Sequence, residues 1–380
     1  MSEKNSASSI PQPEEKAAED RVYVASQWQL MWWRFRKHKV AIISAVLLIL
    51  MYLTIIFAEF VSPYDPRINH RKFLYAPPQK IHFIDRDGKF HLRPFVYGYE
   101  GTMDMETLQI RYAEDRDVLY PILLFARGEP YKMWGLFDSD IHLFGVPEGG
   151  TIFLLGTERQ GRDMLSRIII GGRMSLSIGL VGLAISFFLG VFLGGLSGYF
   201  GGLFDVVLQR IIEFLRSIPT LPLWMALSAA LPPRWTVVQV YFGIVVILSL
   251  IGWTGLARVV RSKFMSLREE DFVMAARLVG ASELRVVFRH MVPSFTSHLI
   301  ANLTMSIPGM ILGETSLSFL GLGLQEPAIS WGVLLKDAQS VAVLAESPWL
   351  LLPGIPVVIV VLAFNFLGDG IRDAADPYGR

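Results

Sequence analysis

Residues 40–60 read VAIISAVLLILMYLTIIFAEF, about 21 residues with one acid near the far end. At 1.5 Å per residue a helix of that length crosses the ~30 Å hydrocarbon core of a bilayer. So long an apolar run constrains the fold more than any other feature of the chain. The run is too long for a signal-peptide core and lacks a small-residue cleavage site, so it reads as a retained anchor. Its direction is set by the preceding WQLMWWRFRKHK. Trp28, Trp32 and Trp33 suit a headgroup belt, while Arg34, Arg36, Lys37 and Lys39 suit the anionic cytoplasmic face. The segment therefore starts inside, and the residues after it lie outside.

The rest of the chain divides on the same grounds. Residues 1–27 form a polar stretch rich in Ser, Glu, Lys and Pro that buries too little apolar surface to fold alone, and they are expected to be a disordered cytoplasmic tail. Residues 28–61 hold an interfacial helix and the first span. Residues 62–162 mix prolines, aromatics and both signs of charge without a spanning run, and KIHFIDRDGKFHLRPFVY predicts a β-hairpin turning at Asp87-Gly88. This part is expected to be a small extracytoplasmic insert, followed by a short interfacial helix over 154–173. Five further spans are expected at about 174–195, 206–231, 237–257, 298–320 and 348–367. The expectation is an all-α membrane protein of six transmembrane helices, with a β-containing insert between the first and second. The core occupies 163–372, and 373–380 forms a cytoplasmic C-terminus. Six spans return the end to the inside and leave the charged stretch 258–295, with Arg258, Arg261, Lys263, Arg268, Arg277, Arg285 and Arg289, in the cytoplasm.

Composition excludes several chemistries. Of 380 residues 52% are hydrophobic and 18% charged, none is cysteine, and the net charge is +1. Disulfide frameworks, thiolate nucleophiles and cysteine-held metals are out, and nothing suggests nucleic acid. No segment fits G-x-x-x-x-G-K-[ST], since Gly88-Lys89 lacks both the preceding glycine and the following Ser or Thr. The seven histidines include no close ligand pair, so no metal and no cofactor is expected.

Other signals concern packing. Small residues recur every fourth position at Gly182, Ser186, Gly190, Gly194, Gly198 and Gly202, a stripe that lets a second helix approach to backbone contact. Such a stripe could serve a translocation path or ordinary helix packing. Pro219, Pro222 and Pro308 each remove a hydrogen bond inside an expected span and predict kinks. Arg210, Glu213 and Arg216 stand at helical spacing, where opposite signs can pair.

The most informative stretch is SLREEDFVMAARLVGASELRVVFRHMVPS, residues 266–294. It predicts helix, glycine turn, helix: Phe272, Ala275, Ala276 and Val279 share a face, Gly280 ends the first helix, Ser282 caps the second and Pro293 limits it. A small apolar face on a cytoplasmic loop either packs under its own spans or docks into a partner's groove.

This stretch resembles the EAA loop of ABC importer permeases, whose pattern is Glu-Ala-Ala, three residues, Gly, nine residues, Ile-x-Leu-Pro. Ala275, Ala276, Gly280 and Pro293 match in spacing, while Met274 stands at the Glu place and His290 and Val292 at the Ile and Leu places. From about residue 155 onward the chain is similar to the second permease of dipeptide and oligopeptide importers, through LGTERQGRDMLSRIIIGGRMSLSIGL, GETSLSFLGLGLQEPAISWGVLL and FNFLGDGIRDAADPYGR. The resemblance implies a type I importer core in a bacterial inner membrane. It implies a second permease subunit, two ATP-binding subunits docked at the loop through Asp271, Met274, Ala275, Ala276, Gly280, Arg289, His290 and Pro293, and an external binding protein. Peptides are the expected cargo, with oligosaccharides, opines or nickel as alternatives. A secondary transporter would show internal repeats and polar pairs in broken helices, and an intramembrane enzyme a nucleophile with its base; neither pattern is evident.

Overall fold

The computed structural model describes residues 27–105 and 110–375. The expected tail, apart from Gln27, and residues 376–380 of the expected C-terminus lie outside the described residues. Helix α1 (Gln27–Phe35) carries Trp28, Trp32 and Trp33 with 41–56% of their surface exposed, and turns through His38 into α2 (Lys39–Ile56). His38 Nδ1 accepts the Ala41 N–H at 3.1 Å and so caps α2. A single turn, α3 (Ala58–Val61), ends the segment.

The insert is built from strands. β1 (His82–Ile84), β2 (Phe90–Met103) and β3 (Ile110–Pro121) make one antiparallel sheet in that order, and β4 (Leu123–Met133) with β5 (Phe137–Gly145) makes a second. The first hairpin turns where expected: Ile84 pairs with Phe90, and Gly88 adopts φ +81°, which glycine alone takes without cost. The Asp85 carboxylate accepts His91 Nε2–H at 2.7 Å and the Lys89 and Asp87 N–H groups at 2.9 and 3.0 Å, contacts that hold it below the usual carboxylate range. The β4–β5 hairpin sits on the end of α2 remote from the basic cluster, where Trp134 Nε1–H donates to the Ile56 carbonyl at 2.7 Å.

Helix α4 (Met164–Phe200) is continuous for 37 residues. The separate interfacial helix expected over 154–173 is not formed. Asp163 caps the helix by accepting the Ser166 N–H at 2.7 Å, and Gly171 and Gly172 are held inside the helix by packing against Ile329, Ser330, Ile55 and Trp331. Residues upstream are clamped by ion pairs: Arg167 reaches Glu326 at 3.0 Å and the Pro66 carbonyl at 3.3 Å, and Arg162 reaches both Glu158 and Glu326.

The segment expected as one span over 206–231 is two helices, α5 (Gly202–Ser217) and α6 (Thr220–Ala229). Pro219 biases Ile218 to extended backbone, at φ −88° and ψ 130°, and stops α5 there. Pro222 lies in the first turn of α6, where its missing N–H leaves no bond unmade. Helix α7 (Val237–Leu267) runs ten residues beyond its expected end, so Arg258, Arg261 and Lys263 stand on a helix and not in a loop. Then come α8 (Asp271–Leu278), α9 (Glu283–Ser294), α10 (Thr296–Phe319), α11 (Trp331–Leu335), α12 (Val341–Glu346) and α13 (Gly354–Ala375). Among the described residues four helical segments are long and apolar enough to cross a membrane, namely Lys39–Ile56, Met164–Phe200, Val237–Leu267 and Pro348–Ala375. A fifth is added if α9 and α10, bent by 74°, are one span.

Two contacts organise the bundle. Along α4, a Cβ added at Gly194 or Gly198 would collide with the Ala257 or Arg261 carbonyl of α7, and one at Gly190 would meet Leu256 at 2.9 Å. The small-residue stripe is thus a packing seam over these turns, while Gly202 lies outside it with open space around it. The second contact is a buried polar knot. Glu314 of α10, fully buried, accepts the Ser175 hydroxyl of α4 at 3.1 Å, the Ser318 hydroxyl at 2.8 Å and the Ser330 hydroxyl at 2.7 Å. Every acceptor in a dry interior needs such donors.

The seam makes a direct prediction. Gly194→Ala should destabilise the protein by about 1–3 kcal/mol, since backbone cannot move aside as a flexible side chain would. Gly309→Ala, where a Cβ meets no atom within 4 Å, should cost nothing measurable. Thermal unfolding of the two variants in detergent checks this, and equal melting temperatures would refute it.

Candidate functional site

The helix, glycine, helix stretch stands at the end of the bundle that carries α7's basic residues. Asp271 opens α8, where an acid in the first turn complements the helix dipole. The helix ends in a Schellman motif: the Gly280 N–H donates to the Arg277 carbonyl at 2.9 Å, and the Ala281 N–H to the Ala276 carbonyl at 3.0 Å. Gly280 has φ +85°, the left-handed conformation that this motif requires.

The amphipathic face is split between two partners. Val273 is fully buried and Ala276 packs beside it, against Val286, Val287 and Met291 of α9 and Phe264 and Val260 of α7. The opposite side of α8 carries Phe272, Met274, Leu278 and Val279, the last two 88% exposed, and α9 adds Leu284 and Phe288. The loop therefore packs under its own spans on one side and presents an uncovered apolar surface on the other. Phe272, Ala275 and Val279, expected to share a face with Ala276, stand on the exposed side; Ala276 turns inward.

The second helix is irregular. Residues Val286–Met291 form a π-turn, and Pro293 sits in the last turn without an N–H to donate. Arg289 and Pro293 are exposed and His290 is half-buried. The chain then bends at Phe295, whose ring meets Phe264 edge-on at 5.7 Å between centroids, fixing the corner between α9 and α10.

A polar cluster that sequence reasoning missed ties the loop to α4. Tyr199 donates its hydroxyl hydrogen to Glu283, Arg277 Nε–H donates to the Tyr199 oxygen at 3.0 Å, and the guanidinium lies 4.9 Å from the Tyr199 ring centre. Tyr199 is 78 residues from Arg277, and no local pattern joins them. Nearby, Asp205 of α5 accepts Arg261 Nη2–H at 2.6 Å, joining α5 to α7. Arg210 and Glu213 pair at 2.8 Å on an exposed helix face, where such a bond contributes little. Among the described residues no group of three or more His, Cys, Asp or Glu side chains is placed to hold a metal ion.

Gly280 sits in open space, with no atom within 4 Å of an added Cβ, so the cost of replacing it is entirely backbone strain. Gly280→Val should raise the free energy of the turn by about 1–3 kcal/mol, and Gly280→Asn by much less. Hydrogen exchange over residues 271–285 should accelerate in the valine variant and stay near wild type in the asparagine variant. Equal protection in all three forms would show that the turn does not hold the two helices.

Comparison with known proteins gives a consistent picture. The family described as binding-protein-dependent transport system inner membrane component matches residues 187–378, and the N-terminal TM domain of oligopeptide transport permease C matches residues 26–78. The chain is 40% identical over 245 residues to the oligopeptide transport system permease protein OppC of Haemophilus influenzae, covering 64% of this chain and 76% of that one. It is 36% identical over 223 residues to the dipeptide transport system permease protein DppC of Bacillus subtilis, covering 58% and 68%. With the protein of the same description from Lactococcus lactis subsp. cremoris it shares 31% identity over 353 residues, 93% of this chain and 91% of the other.

Proposed function

Because this chain belongs to the family of binding-protein-dependent transport system inner membrane components, we propose that it is a permease subunit of an ATP-driven importer that carries peptides across the bacterial inner membrane. The observation that carries the mechanistic part of this reading is the divided loop. One face of α8 is locked into the bundle, and the other offers Phe272, Met274, Leu278 and Val279 to something outside the chain. In this reading the partner there is an ATP-binding subunit, one of two, with a second permease beside this one and an external binding protein delivering substrate.

The geometry supports the loop as a lever. A push on α8 passes through buried Val273, Val286, Val287 and Met291 and through the Tyr199–Arg277–Glu283 cluster to the ends of α4 and α7. Close-packed interiors transmit such displacements with little loss. Met274 at the acidic place of the family pattern makes the docking face apolar, so hydrophobic burial takes the part of an ion pair here. In this reading Asp271, Ala275, Arg289, His290 and Pro293 take part in the same docking, and Gly280 sets the angle between the two helices.

The topology in this reading has six crossings, with α5 and α6 together forming one of them, broken at Pro219, and with both termini in the cytoplasm. The insert then lies outside, on the side from which a binding protein arrives. Reporter fusions at Lys89 and at Glu269 should report opposite sides of the membrane; finding both on one side would sink this arrangement.

Docking has its own test. In the assembled complex, Leu278→Asp with Val279→Asp should weaken binding of the ATP-binding subunits at least about tenfold, since two largely exposed apolar side chains would lose roughly 3 kcal/mol or more of burial. Membrane insertion should be unaffected. Normal assembly and wild-type peptide uptake in the double variant would overturn the docking role.

A further inference from the structure

Two hairpins of the insert end in opposite chemistry. The β1–β2 turn reads Asp85-Arg86-Asp87-Gly88-Lys89, and the β4–β5 turn reads Met133-Trp134-Gly135-Leu136-Phe137. In the second, Leu136 is 75% exposed, Phe137 61% and Trp134 48%, with no charge among them. Trp134 and Gly135 have φ +53° and +72°, a left-handed pair that a hairpin in water fills with Asn-Gly or Asp-Gly. A bulky residue is strained at such a φ, so the turn itself does not favour tryptophan.

The apolar tip is placed against the end of the first span. Trp134 Nε1–H donates to the Ile56 carbonyl at 2.7 Å, and its ring centre lies 5.7 Å from that of Phe57. Along α2, Ile43, Val46, Leu50 and Leu53 are exposed at alternating three- and four-residue spacing, and Phe57 continues the series. One apolar stripe therefore runs up the span and onto the hairpin. The chain itself buries only 17% of that span, so the stripe is the surface that α2 offers to lipid.

Depth has a marker of its own. Arg173 of α4 pairs with Glu59 and donates from Nε to the Ile55 carbonyl at 2.7 Å. Charged side chains belong at the edge of the hydrocarbon core and not at its centre, so this level is the boundary, and the tip stands at it. Directly behind the tip, Lys132 pairs across the strands with Asp138 at 3.6 Å, and both are largely exposed. The hairpin thus changes from apolar to charged within one residue pair. Amphipathic elements bury such an apolar part about 5–10 Å into the boundary between headgroups and acyl chains, and tryptophan is enriched at that depth.

We propose that the β4–β5 hairpin is a lipid anchor, whose tip Met133–Phe137 enters the leaflet at the C-terminal end of α2. Trp134 lies at headgroup level there, with Lys132 and Asp138 on its water side. The anchor ties the second sheet to the bilayer as well as to the span. It needs α2 to cross the membrane, but neither the peptide reading nor the side on which the insert lies, so those readings can fail without it.

The chain has no cysteine, so Leu136→Cys and Asp87→Cys each place one thiol, and one nitroxide label, on a different hairpin tip. The complete transporter is reconstituted in phospholipid vesicles with a water-soluble nickel chelate on both sides. Power-saturation EPR then reads collisions with the chelate and with oxygen, which concentrates in lipid. Signal from thiols of the other subunits is measured with the wild-type chain and subtracted. The oxygen-to-chelate ratio at Leu136 should be several-fold above that at Asp87 and approach that of Leu50→Cys within α2. Phe137→Cys repeats the measurement if Leu136→Cys does not assemble. A ratio at the tip as low as at Asp87 would place it in water. Exclusion of both reagents would place it against another protein subunit, and either result overturns the anchor.

Discussion

The close approach of α4 and α7 is the contact on which the rest of the structure depends. Gly194 and Gly198 remove side chains from one helix so that carbonyls of the other can lie where a Cβ would otherwise be, and Gly190 makes room for the Leu256 side chain. In lipid there is no hydrophobic gain from pairing two apolar helices, so dispersion over a tight seam must hold them. The seam holds α7 in place as it runs past the apolar zone to Leu267, and that extension carries α8, α9 and the bend at Phe295. An alanine or leucine stripe would move α7 outward, and α8 and α9 with it.

The buried carboxylate inside the bundle is fully supplied with donors. Glu314 is surrounded by the hydroxyls of Ser175, Ser318 and Ser330, and those serines in turn accept the N–H groups of Trp331, Leu324 and Val333 at 2.9–3.2 Å. The knot pins the chain between α10 and α11 to α4 and leaves nothing unsatisfied on the carboxylate. At the other boundary, Glu158, Arg162, Arg167 and Glu326 join the base of the insert to the start of α4 and to the turn after α10. Other buried side-chain atoms of the bundle, among them Tyr52 Oη, Ser186 Oγ and Trp224 Nε1, make no hydrogen bond within the chain.

The exposed apolar surface of the loop owes its form to a division of labour along a very short helix. Two turns of α8 suffice to bury Val273 and present Leu278 and Val279, because a helix puts residues five or six apart on different sides. The Schellman turn at Gly280 then reverses the chain without a long loop, and α9 returns to the bundle through three buried side chains. The π-turn and Pro293 loosen the second helix just where it must bend by 74° into α10.

Several features were determined by the sequence alone. The membrane class comes from run length, the hairpin from Asp87-Gly88, the turn of the loop from Gly280, and the break in 206–231 from Pro219, because each depends on local backbone chemistry or on the summed polarity of neighbours. The face that α8 turns inward, the joining of 164–173 to the next span, the length of α7 and the Tyr199–Arg277–Glu283 cluster were decided only by tertiary structure. Each of these depends on which helices meet and how closely, and the partners stand tens to more than a hundred residues apart. Periodicity can show that a helix has an apolar side and a glycine stripe. The neighbour that covers that side, and the polar atoms left without one, are set only when the chain packs.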